Sequence, residues 1–372
     1  MDLPNKIYHK ALDLQFLSID EGLYLYQHAP LAELMQLGAN LRQIHVPGNT
    51  VSWQIDRNVN YTNVCFSQCK FCNFCRKPSC ADAYITSDEE YDEKIRELFA
   101  LGGNQLLLQG GMHPKLGLKF YTDLFSRLKK RYPDLKLHAL GPPEIHYISQ
   151  KERISYDAVL KALVEAGLDS LPGAGAEILS DRVRKIVSPA KCNTEQWLKV
   201  MLEAHAMNLP TSATMMFGHV ETARERIEHL VHIRNLQAQK TEGAYGFLAF
   251  IPWTFQSAGT ALERKMNISN RIATQDYLRM IAISRIMLPN IPNIQASWLT
   301  VGIQAGLLAL YAGANDLGSV MIEENVVSTA GANNKMDATG MKEAIRKAGF
   351  TPRLRNQKYE FTHDTVKLTM QS

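Results

Sequence analysis

Three cysteines lie close together near residue 70 of this chain, in the run Cys65-Phe-Ser-Gln-Cys69-Lys-Phe71-Cys72. Cysteines so near in sequence can bind one metal centre with little further loss of chain entropy. An iron–sulfur cluster normally has four protein ligands, so three cysteines leave one iron of a [4Fe–4S] cluster open to another ligand. This run therefore predicts a cluster with an open iron, which needs a pocket for the molecule that binds there.

A structural zinc site is the main alternative for these cysteines, with Cys75 or Cys80 as a further ligand. Zinc sites usually have four ligands in paired spacings, whereas the spacing here is uneven. The N-terminus lacks the apolar core of a signal peptide, so we expect a cytoplasmic protein. In that compartment cysteines are more often thiols or metal ligands than disulfides. The spacing favours the cluster over zinc.

Composition narrows the class of protein. The 372 residues are 45% hydrophobic, which allows one large α/β barrel or two smaller domains. The net charge of +4 is spread along the chain without a long basic block, so we expect no nucleic-acid partner. No apolar run approaches the ~20 residues that span a bilayer, so we expect no membrane span. The charge is compatible with an anionic small-molecule substrate.

Strand and helix patterns alternate along residues 51–320, in roughly eight units, which predicts an α/β fold of the (β/α)8 TIM-type barrel. A doubly wound open sheet is the alternative. Residues 1–50 predict a helical N-terminal extension, with a capping box formed by Ser18 and Glu21. Residues 321–372 predict a C-terminal cap with a helix near residues 341–348. We therefore expect one catalytic domain.

Unusual residues follow several predicted strands, and loops at the carboxyl ends of barrel strands build the active site. Glycine in such loops lets the backbone approach a ligand closely. Glycine, carboxylate, histidine and aromatic side chains recur in the segments 65–72, 109–114, 141–144, 172–177, 217–221 and 252–256. Taken singly, Glu144 is equally compatible with a helix N-terminus, Gly110 and Gly111 with a turn, and the histidines with structural roles. Together the segments indicate one shared pocket.

The pattern Cys-x3-Cys-x-aromatic-Cys after a first strand resembles the signature of the radical S-adenosylmethionine (SAM) superfamily. The resemblance implies that Cys65, Cys69 and Cys72 bind a [4Fe–4S] cluster and that SAM binds the open iron. It also implies a set of SAM contacts. These are Phe71 against the adenine, Gln109, Gly110 and Gly111 at the methionine end, and Glu177 as a further contact.

Further motifs resemble the menaquinone and deazaflavin biosynthesis branch of this superfamily, and within it most of all the dehypoxanthine futalosine cyclases. The motifs lie at residues 56–65, 108–111, 142–145, 167–173, 216–222 and 250–256. The resemblance implies that a 5′-deoxyadenosyl radical takes hydrogen from ribose C4′ of dehypoxanthine futalosine, whose new radical closes onto the benzoate ring. Aminofutalosine synthases and deazaflavin-precursor synthases of the same branch are alternatives. A zinc-stapled binding protein is the alternative outside the enzymes.

That reaction implies further residues and partners. Loss of a proton from the ring calls for a base, and Glu144, His138 and His219 are the candidates. Trp253 and Gln256 are candidate substrate contacts. An external one-electron donor such as flavodoxin or ferredoxin is implied for the cluster.

Overall fold

The computed structural model describes residues 3–332 and 334–362. The strands are β1 Thr50–Gln54, β2 Asp56–Val59, β3 Gln105–Leu108, β4 Lys136–Ala139, β5 Thr211–Phe217, β6 Phe247–Thr254, β7 Asn293–Ile294, β8 Asp316–Ser319 and β9 Thr351–Leu354. The helices are α1 Leu3–Leu12, α2 Ile19–His28, α3 Leu31–His45, α4 Asp88–Ala100, α5 Leu118–Arg131, α6 Pro142–Glu152, α7 Tyr156–Ala166, α8 Asp181–Val187, α9 Thr194–Ala206, α10 Ala223–Gln237, α11 Ala261–Met266, α12 Thr274–Met287, α13 Trp298–Val301, α14 Ile303–Leu310 and α15 Ala338–Lys347. A 3-10 helix spans Ser328–Ala330.

Every strand ladder of the described residues is parallel. The ladders form three sheets, in the orders β8-β1-β9, β2-β3-β4 and β5-β6-β7. Isolated bridges also pair His138 with Ser170, Leu171 with Thr211, and Gln295 with Asp316. The predicted α/β class is confirmed, with helices between the parallel strands. The ladders alone do not form a closed barrel.

Several helices begin where local sequence predicts them. Ser18 Oγ accepts a hydrogen bond from the Glu21 N–H (3.1 Å), and the Glu21 carboxylate accepts one from the Ser18 N–H (2.6 Å). This reciprocal capping satisfies two donors that the first turn of α2 leaves free. The same arrangement begins α4 and α10. The capping box predicted at Ser18 and Glu21 is therefore confirmed.

The N-terminal helices pack on the main body of the chain, where α2 contacts α10 and α3 contacts α12. Arg42 of α3 is 2% exposed, and its guanidinium donates to the carbonyl oxygens of Gly48, Thr50 and Ala314. These bonds connect α3 to β1 and to the segment before β8. Among the described residues, no helix is both long enough and apolar enough to cross a bilayer.

Two elements differ from the sequence prediction. Helix α6 was not predicted, because it begins with Pro142 and Pro143, which are tolerated only in a first helical turn. Strand β9 lies in the segment predicted as a cap and pairs in parallel with β1, from Thr50 opposite Thr351 to Trp53 opposite Leu354. Its short Thr-Pro-Arg-Leu sequence has almost no apolar pattern. Residues 363–372 of the predicted cap lie outside the described residues.

Candidate active site

A cavity of about 370 Å³ opens among the ends of the parallel strands and extends between them to the segment after β9. Its wall contains most of the residues that the sequence predicted for the site. These are Cys65, Cys69, Phe71, Cys72, Gln109, Gly110, Gly111, His138, Glu144, Glu177 and Trp253. The fold therefore brings together residues from six separate segments of the chain in one pocket.

The cysteines lie on an irregular loop that runs from the end of β2 to α4. Backbone hydrogen bonds hold this loop at several points, since the N–H groups of Cys65, Phe66 and Lys70 donate to the carbonyl oxygens of Arg76 (3.1 Å), Met112 (3.1 Å) and Val187 (2.8 Å). The loop is thus attached to both the β3 end and the α8 end. This attachment places the three thiols on the cavity wall.

The Ser67 hydroxyl lies between two of these thiols, 2.8 Å from Cys65 Sγ and 3.4 Å from Cys69 Sγ. Hydrogen bonding from the Cys75 side chain, then from Ser67, lowers the pKa of Cys65 to about 5 against the effect of burial. Burial raises the pKa of Cys69 to about 12. The thiols therefore occupy unlike environments.

The donor set on the cavity wall fits a [4Fe–4S] cluster. Such a cluster binds each cysteine through a different iron, and three cysteines leave one iron open to another ligand. Cys65, Cys69 and Cys72 all line the cavity, so a molecule in it could reach the open iron.

Gly110 and Gly111 are required by the close approach of β3 to the cysteine loop. A Cβ on Gly111 would lie 2.1 Å from the Val64 carbonyl oxygen and 2.9 Å from Cys65 Cβ. The Gly111 N–H also donates to the Thr62 carbonyl oxygen at 2.8 Å. The glycines thus position the cluster loop as well as line the cavity. The sequence indicated only that the backbone approaches something closely.

Lys191 is a cavity residue that the sequence did not single out. Its Nζ donates to Glu177 Oε1 at 2.8 Å and lies 5.4 Å from the centre of the Phe71 ring. Glu177 is 4% exposed, and its other carboxylate oxygen, Oε2, has no hydrogen-bond partner among the described residues. In the sequence, Lys191 lies in the loop before α9, far from any strand end. No pattern in the sequence therefore predicts that it lines the cavity.

Glu144 lies in the first turn of α6, where the helix dipole favours a negative charge. Burial nevertheless raises the pKa of its carboxyl to about 7; the charge of Lys191 acts in the opposite direction. His138 lies on β4, with Nδ1 2.7 Å from the Ser170 hydroxyl. Burial lowers the pKa of His138 to about 3, so its ring is neutral at physiological pH. Both side chains line the cavity.

The structure does not bring His219 or Gln256 into the cavity wall. The His219 ring is fully buried, with Nε2–H donating to the Met216 carbonyl oxygen (2.9 Å) and Nδ1 accepting from the Val220 N–H (2.8 Å). Gln256 Nε2 donates to the carbonyl oxygens of Thr254 and Thr300 at 3.0 and 3.3 Å. Both side chains use their polar atoms to shape loops, which corrects their predicted placement in the pocket.

Two family models match the chain. The model described as the radical SAM superfamily matches residues 59–233. The model described as the CofH/MqnC C-terminal region matches residues 244–368. Together they span the cysteine loop, most of the cavity wall and the segment that contains β9.

Curated relatives match over nearly the whole chain. The cyclic dehypoxanthine futalosine synthase of Halalkalibacterium halodurans is 40% identical over 357 residues, covering 95% of this chain and 94% of the relative. The protein of the same name from Streptomyces coelicolor is 40% identical, covering 92% and 84%. A 5-amino-6-(D-ribitylamino)uracil–L-tyrosine 4-hydroxyphenyl transferase of Methanosarcina barkeri is 39% identical, covering 92% and 89%.

Solved structures of lower identity share the fold. Methylornithine synthase (PylB) superposes with a TM-score of 0.69 at 18% identity, covering 94% of this chain and 98% of its own. The hydrogenase maturase HydG of Carboxydothermus hydrogenoformans gives 0.72 at 14% identity, covering 96% and 80%. This chain therefore belongs to the radical SAM superfamily, in the family that contains the cyclic dehypoxanthine futalosine synthases, and its cofactors are a [4Fe–4S] cluster and SAM.

Proposed function

We propose that this radical SAM enzyme cyclises dehypoxanthine futalosine in the futalosine route to menaquinone. The observation that carries the proposal is 40% identity, over 95% of the chain, to a cyclic dehypoxanthine futalosine synthase. When bound, the cluster and SAM would supply a 5′-deoxyadenosyl radical that takes a hydrogen atom from the substrate, and the oxidised cluster would accept the one electron that the closed ring loses together with its proton. The protein's own part is to bind, orient and shield the reactants and to accept a proton.

The cofactors would be held at the cysteine loop. Cys65, Cys69 and Cys72 would bind three of the irons, and Phe71 would contact the adenine. Gln109, Gly110 and Gly111 border the cavity beside the loop and suit the methionine end of SAM. The buried Glu177 Oε2 lacks a hydrogen-bond partner among the described residues, and the ammonium group of SAM would provide one.

Glu144 is our candidate for the base that removes the ring proton. A base works best when its pKa lies near the working pH, and burial raises the pKa of Glu144 to about 7. His138, whose ring lies 2.7 Å from the Ser170 hydroxyl, is the second and weaker candidate, because burial lowers its pKa to about 3. Trp253, on β6, lines the same cavity and is the candidate for contact with the aromatic part of the substrate.

We also propose that the parallel strands close into a (β/α)8 barrel over residues 51–320, with 1–50 as the helical extension and 321–372 as the cap. The isolated bridges between the ladders support closure, as does the hydrogen bond from the Val320 N–H to the Gln54 carbonyl oxygen at 3.1 Å. The cytoplasmic location and an external electron donor such as flavodoxin or ferredoxin stay predictions.

A second candidate function, that of a hydroxyphenyl transferase, is supported by one observation. The hydroxyphenyl transferase of Methanosarcina barkeri is 39% identical, only slightly below the synthases. The two activities use different substrates, so direct assay separates them. Aminofutalosine synthase, the other sibling predicted from the sequence, is separated by the same assay through its enolpyruvyl benzoate substrate.

The test is an anaerobic incubation of the reconstituted enzyme with SAM and a reductant, followed by mass analysis. Separate reactions receive dehypoxanthine futalosine, tyrosine with 5-amino-6-(D-ribitylamino)uracil, or the enolpyruvyl benzoate. We expect 5′-deoxyadenosine and a dehydrogenated, cyclised product only in the first reaction. Cys69→Ala should bind no cluster and form no 5′-deoxyadenosine. Product in the second or third reaction, without product in the first, would reject the cyclase assignment.

A further inference from the structure

Strand β2 directs a row of polar side chains into the cavity. Asp56, Asn58 and Asn60 occupy alternate positions, which face one side of a strand, and all three line the cavity. Asp56 is 3% exposed and Asn58 is 4% exposed. Most inward positions of a parallel strand carry apolar residues that fill the core. Polar residues at consecutive inward positions therefore call for a polar ligand.

Two of these side chains have an unused acceptor. Oδ1 of Asp56 and Oδ1 of Asn58 are buried and have no hydrogen-bond partner among the described residues. The other oxygen of Asp56 accepts from Gln54 Nε2 at 2.9 Å, so the carboxylate is held in place. Buried acceptors normally have partners. A ligand with hydrogen-bond donors would supply them here.

Asn60 differs from its two neighbours because its amide oxygen already has a hydrogen-bond partner, as does its amide nitrogen. Its Nδ2 donates to the Gln109 carbonyl oxygen at 3.0 Å, and its Oδ1 accepts from Asn325 Nδ2 at 3.2 Å. These bonds tie the upper end of the row to β3 and to the segment after β8. The free acceptors are thus confined to the deeper part of the cavity, at Asp56 and Asn58.

The charge around these acceptors favours a neutral donor over an anion. Arg355 is the guanidinium near this end of the cavity, and it forms two hydrogen bonds with the Asp316 carboxylate, at 2.6 and 2.9 Å. A third goes to Gln54 Oε1 at 2.6 Å. Its charge and its donors are therefore already matched by the protein. Among the described residues that line this end of the cavity, a carboxylate or phosphate ligand would find two acceptors and no guanidinium without a partner.

The opposite wall carries small polar groups that suit the same kind of ligand. Ser212 and Thr214 of β5 line the cavity, with Thr214 Oγ1 donating to the Gly173 carbonyl oxygen at 2.7 Å. His138 lies on the wall between β2 and β5 as a neutral ring. Hydroxyl and neutral imidazole groups can both donate and accept. The deep cavity is therefore polar and richest in acceptors on β2.

We propose that Asp56 and Asn58 bind the hydroxyl groups of a neutral sugar ring and so fix its position in the cavity. The inference rests on the proposed function, in which the ribose-derived ring of the substrate carries the hydrogen atom that is removed. Strand β2 leads directly into the loop of Cys65. Strand β2 would therefore position both the sugar ring and the cysteine loop where the radical forms. The distance between the sugar ring and the radical then depends on few intervening residues.

The test measures equilibrium binding of dehypoxanthine futalosine, and of analogues with one ring hydroxyl replaced by hydrogen, to the anaerobic enzyme loaded with cluster and SAM. A site built to bond a hydroxyl discriminates strongly against an analogue that lacks it. We expect at least one deoxy analogue to bind about 10-fold or more weakly to the unmodified enzyme. Equal affinity for every deoxy analogue would overturn the proposal, and this arm depends on no variant.

Variants of Asp56 and Asn58 test whether these two residues cause the discrimination between substrate and deoxy analogues. Asp56→Asn and Asn58→Ala should raise KM about 10-fold with a smaller change in kcat, and the matching deoxy analogue should lose no further affinity in the variant. Asp134→Asn and Asn40→Ala, at exposed positions, are the matched controls and should behave as the unmodified enzyme. Full discrimination retained in both β2 variants would overturn the assignment to these residues.

Turnover separates this inference from the proposed function. Cyclisation by the unmodified enzyme with no hydroxyl discrimination would overturn the sugar site alone. Hydroxyl-dependent binding without cyclisation would overturn the proposed function alone. Neither binding nor cyclisation would overturn both.

Discussion

Glu144 shows how burial can adapt one carboxyl group to a task. Burial raises its pKa to about 7, so near neutral pH the group exists in both protonation states. An ordinary exposed glutamate, with a pKa near 4.3, would be a weaker base. The raised pKa therefore predicts that the rate of the reaction depends on pH near neutrality.

We expect Glu144→Gln to lower kcat by about 10²- to 10⁴-fold, because the amide cannot accept the ring proton. In the unmodified enzyme the rate should rise with pH through about 7 as the carboxyl ionises, and the variant should lose that rise. Cyclised product is measured by mass analysis across pH 5.5–8.5, a range set at about 1.5 pH units either side of that pKa. Glu165→Gln, at an exposed position of α7, is the control. An unchanged rate and pH profile would exclude Glu144 as the base.

Gly111 lies where the cysteine loop leaves no space for a side chain. An alanine Cβ would lie 2.1 Å from a backbone oxygen of the cysteine loop, which cannot rotate away as a side chain could. We expect Gly111→Ala to displace the loop and to reduce iron bound per chain after reconstitution, measured by iron and sulfide analysis. Gly340→Ala, whose nearest atoms are 3.2 Å away in side chains, should bind iron normally. Full iron content in Gly111→Ala would contradict the steric argument.

Some residues of the cavity wall can be predicted from the sequence and others cannot. The cysteines and glycines carry their own signals, since spacing and the absence of a Cβ are visible in the sequence. Lys191 carries none, because its role depends on the distance from its Nζ to Glu177 (2.8 Å), which only the folded chain establishes. The opposite holds for His219. Its motif predicts a functional residue, but its ring forms hydrogen bonds within its own loop.

At the scale of elements, a buried ion pair connects the end of β9 to β8, in addition to the parallel ladder that β9 forms with β1. Arg355, immediately after β9, contacts Asp316 of β8, and both side chains are nearly inaccessible to solvent. Removing one partner of such a pair leaves the other charge buried and unmatched, which costs far more than the loss of an exposed pair. The attachment of β9 should therefore depend on Arg355.

We expect Arg355→Ala to lower the free energy of unfolding by about 3–5 kcal/mol, because the Asp316 carboxylate loses its buried partner. Urea denaturation followed by circular dichroism measures the change. Arg353→Ala is a matched control on the same strand, since Arg353 is exposed and should change stability by less than about 0.5 kcal/mol. Similar losses in the two variants would show that the ion pair is not what attaches β9.

Elements were predicted best where their signals are local. The starts of α2, α4 and α10 follow from capping boxes of four residues. Strand β9 and helix α6 were missed, because the first has no alternating pattern and the second begins with two prolines. Between β4 and β5, the described chain pairs only through isolated bridges at Ser170 and Leu171, since pairing is decided by the neighbouring strands.

At the scale of the whole molecule, three buried histidines and the half-buried His45 make the fold sensitive to acid. Burial lowers the pKa of each, to about 4 for His45 and His205 and to about 3 for His138 and His229. Below pH 6.5 the unfolded chain protonates these rings and the folded chain does not. Their contribution to stability is thus fully present above pH 6.5 and is lost as pH falls toward 3–4.

We expect the free energy of unfolding to fall between pH 6.5 and 4.5, by up to about 1.4 kcal/mol per pH unit for each proton taken up. Glu144 acts in the opposite direction, because its raised pKa stabilises the folded state as pH falls from about 7. Urea midpoints measured across this range give the slope. His229→Gln should flatten it by about one proton. An unchanged slope in that variant would contradict the lowered pKa of His229.

The overall architecture was predictable because parallel strands place their carboxyl ends on one side, wherever they lie in the sequence. That rule alone placed the cysteine run, Gly111, Glu144, Glu177 and Trp253 in one pocket. It does not describe what lies deeper between the strands. Asp56 and Asn58 became visible as a site only when their unpaired oxygens could be examined in the folded chain.

In the proposed reaction, a radical formed at the cysteine loop removes the ribose C4′ hydrogen of dehypoxanthine futalosine. Substrate that carries deuterium at C4′ tests this step when it is incubated anaerobically with enzyme, SAM and a reductant. We expect deuterium in 5′-deoxyadenosine together with a cyclised product. Unlabelled 5′-deoxyadenosine with intact substrate would show that the enzyme does not remove this hydrogen.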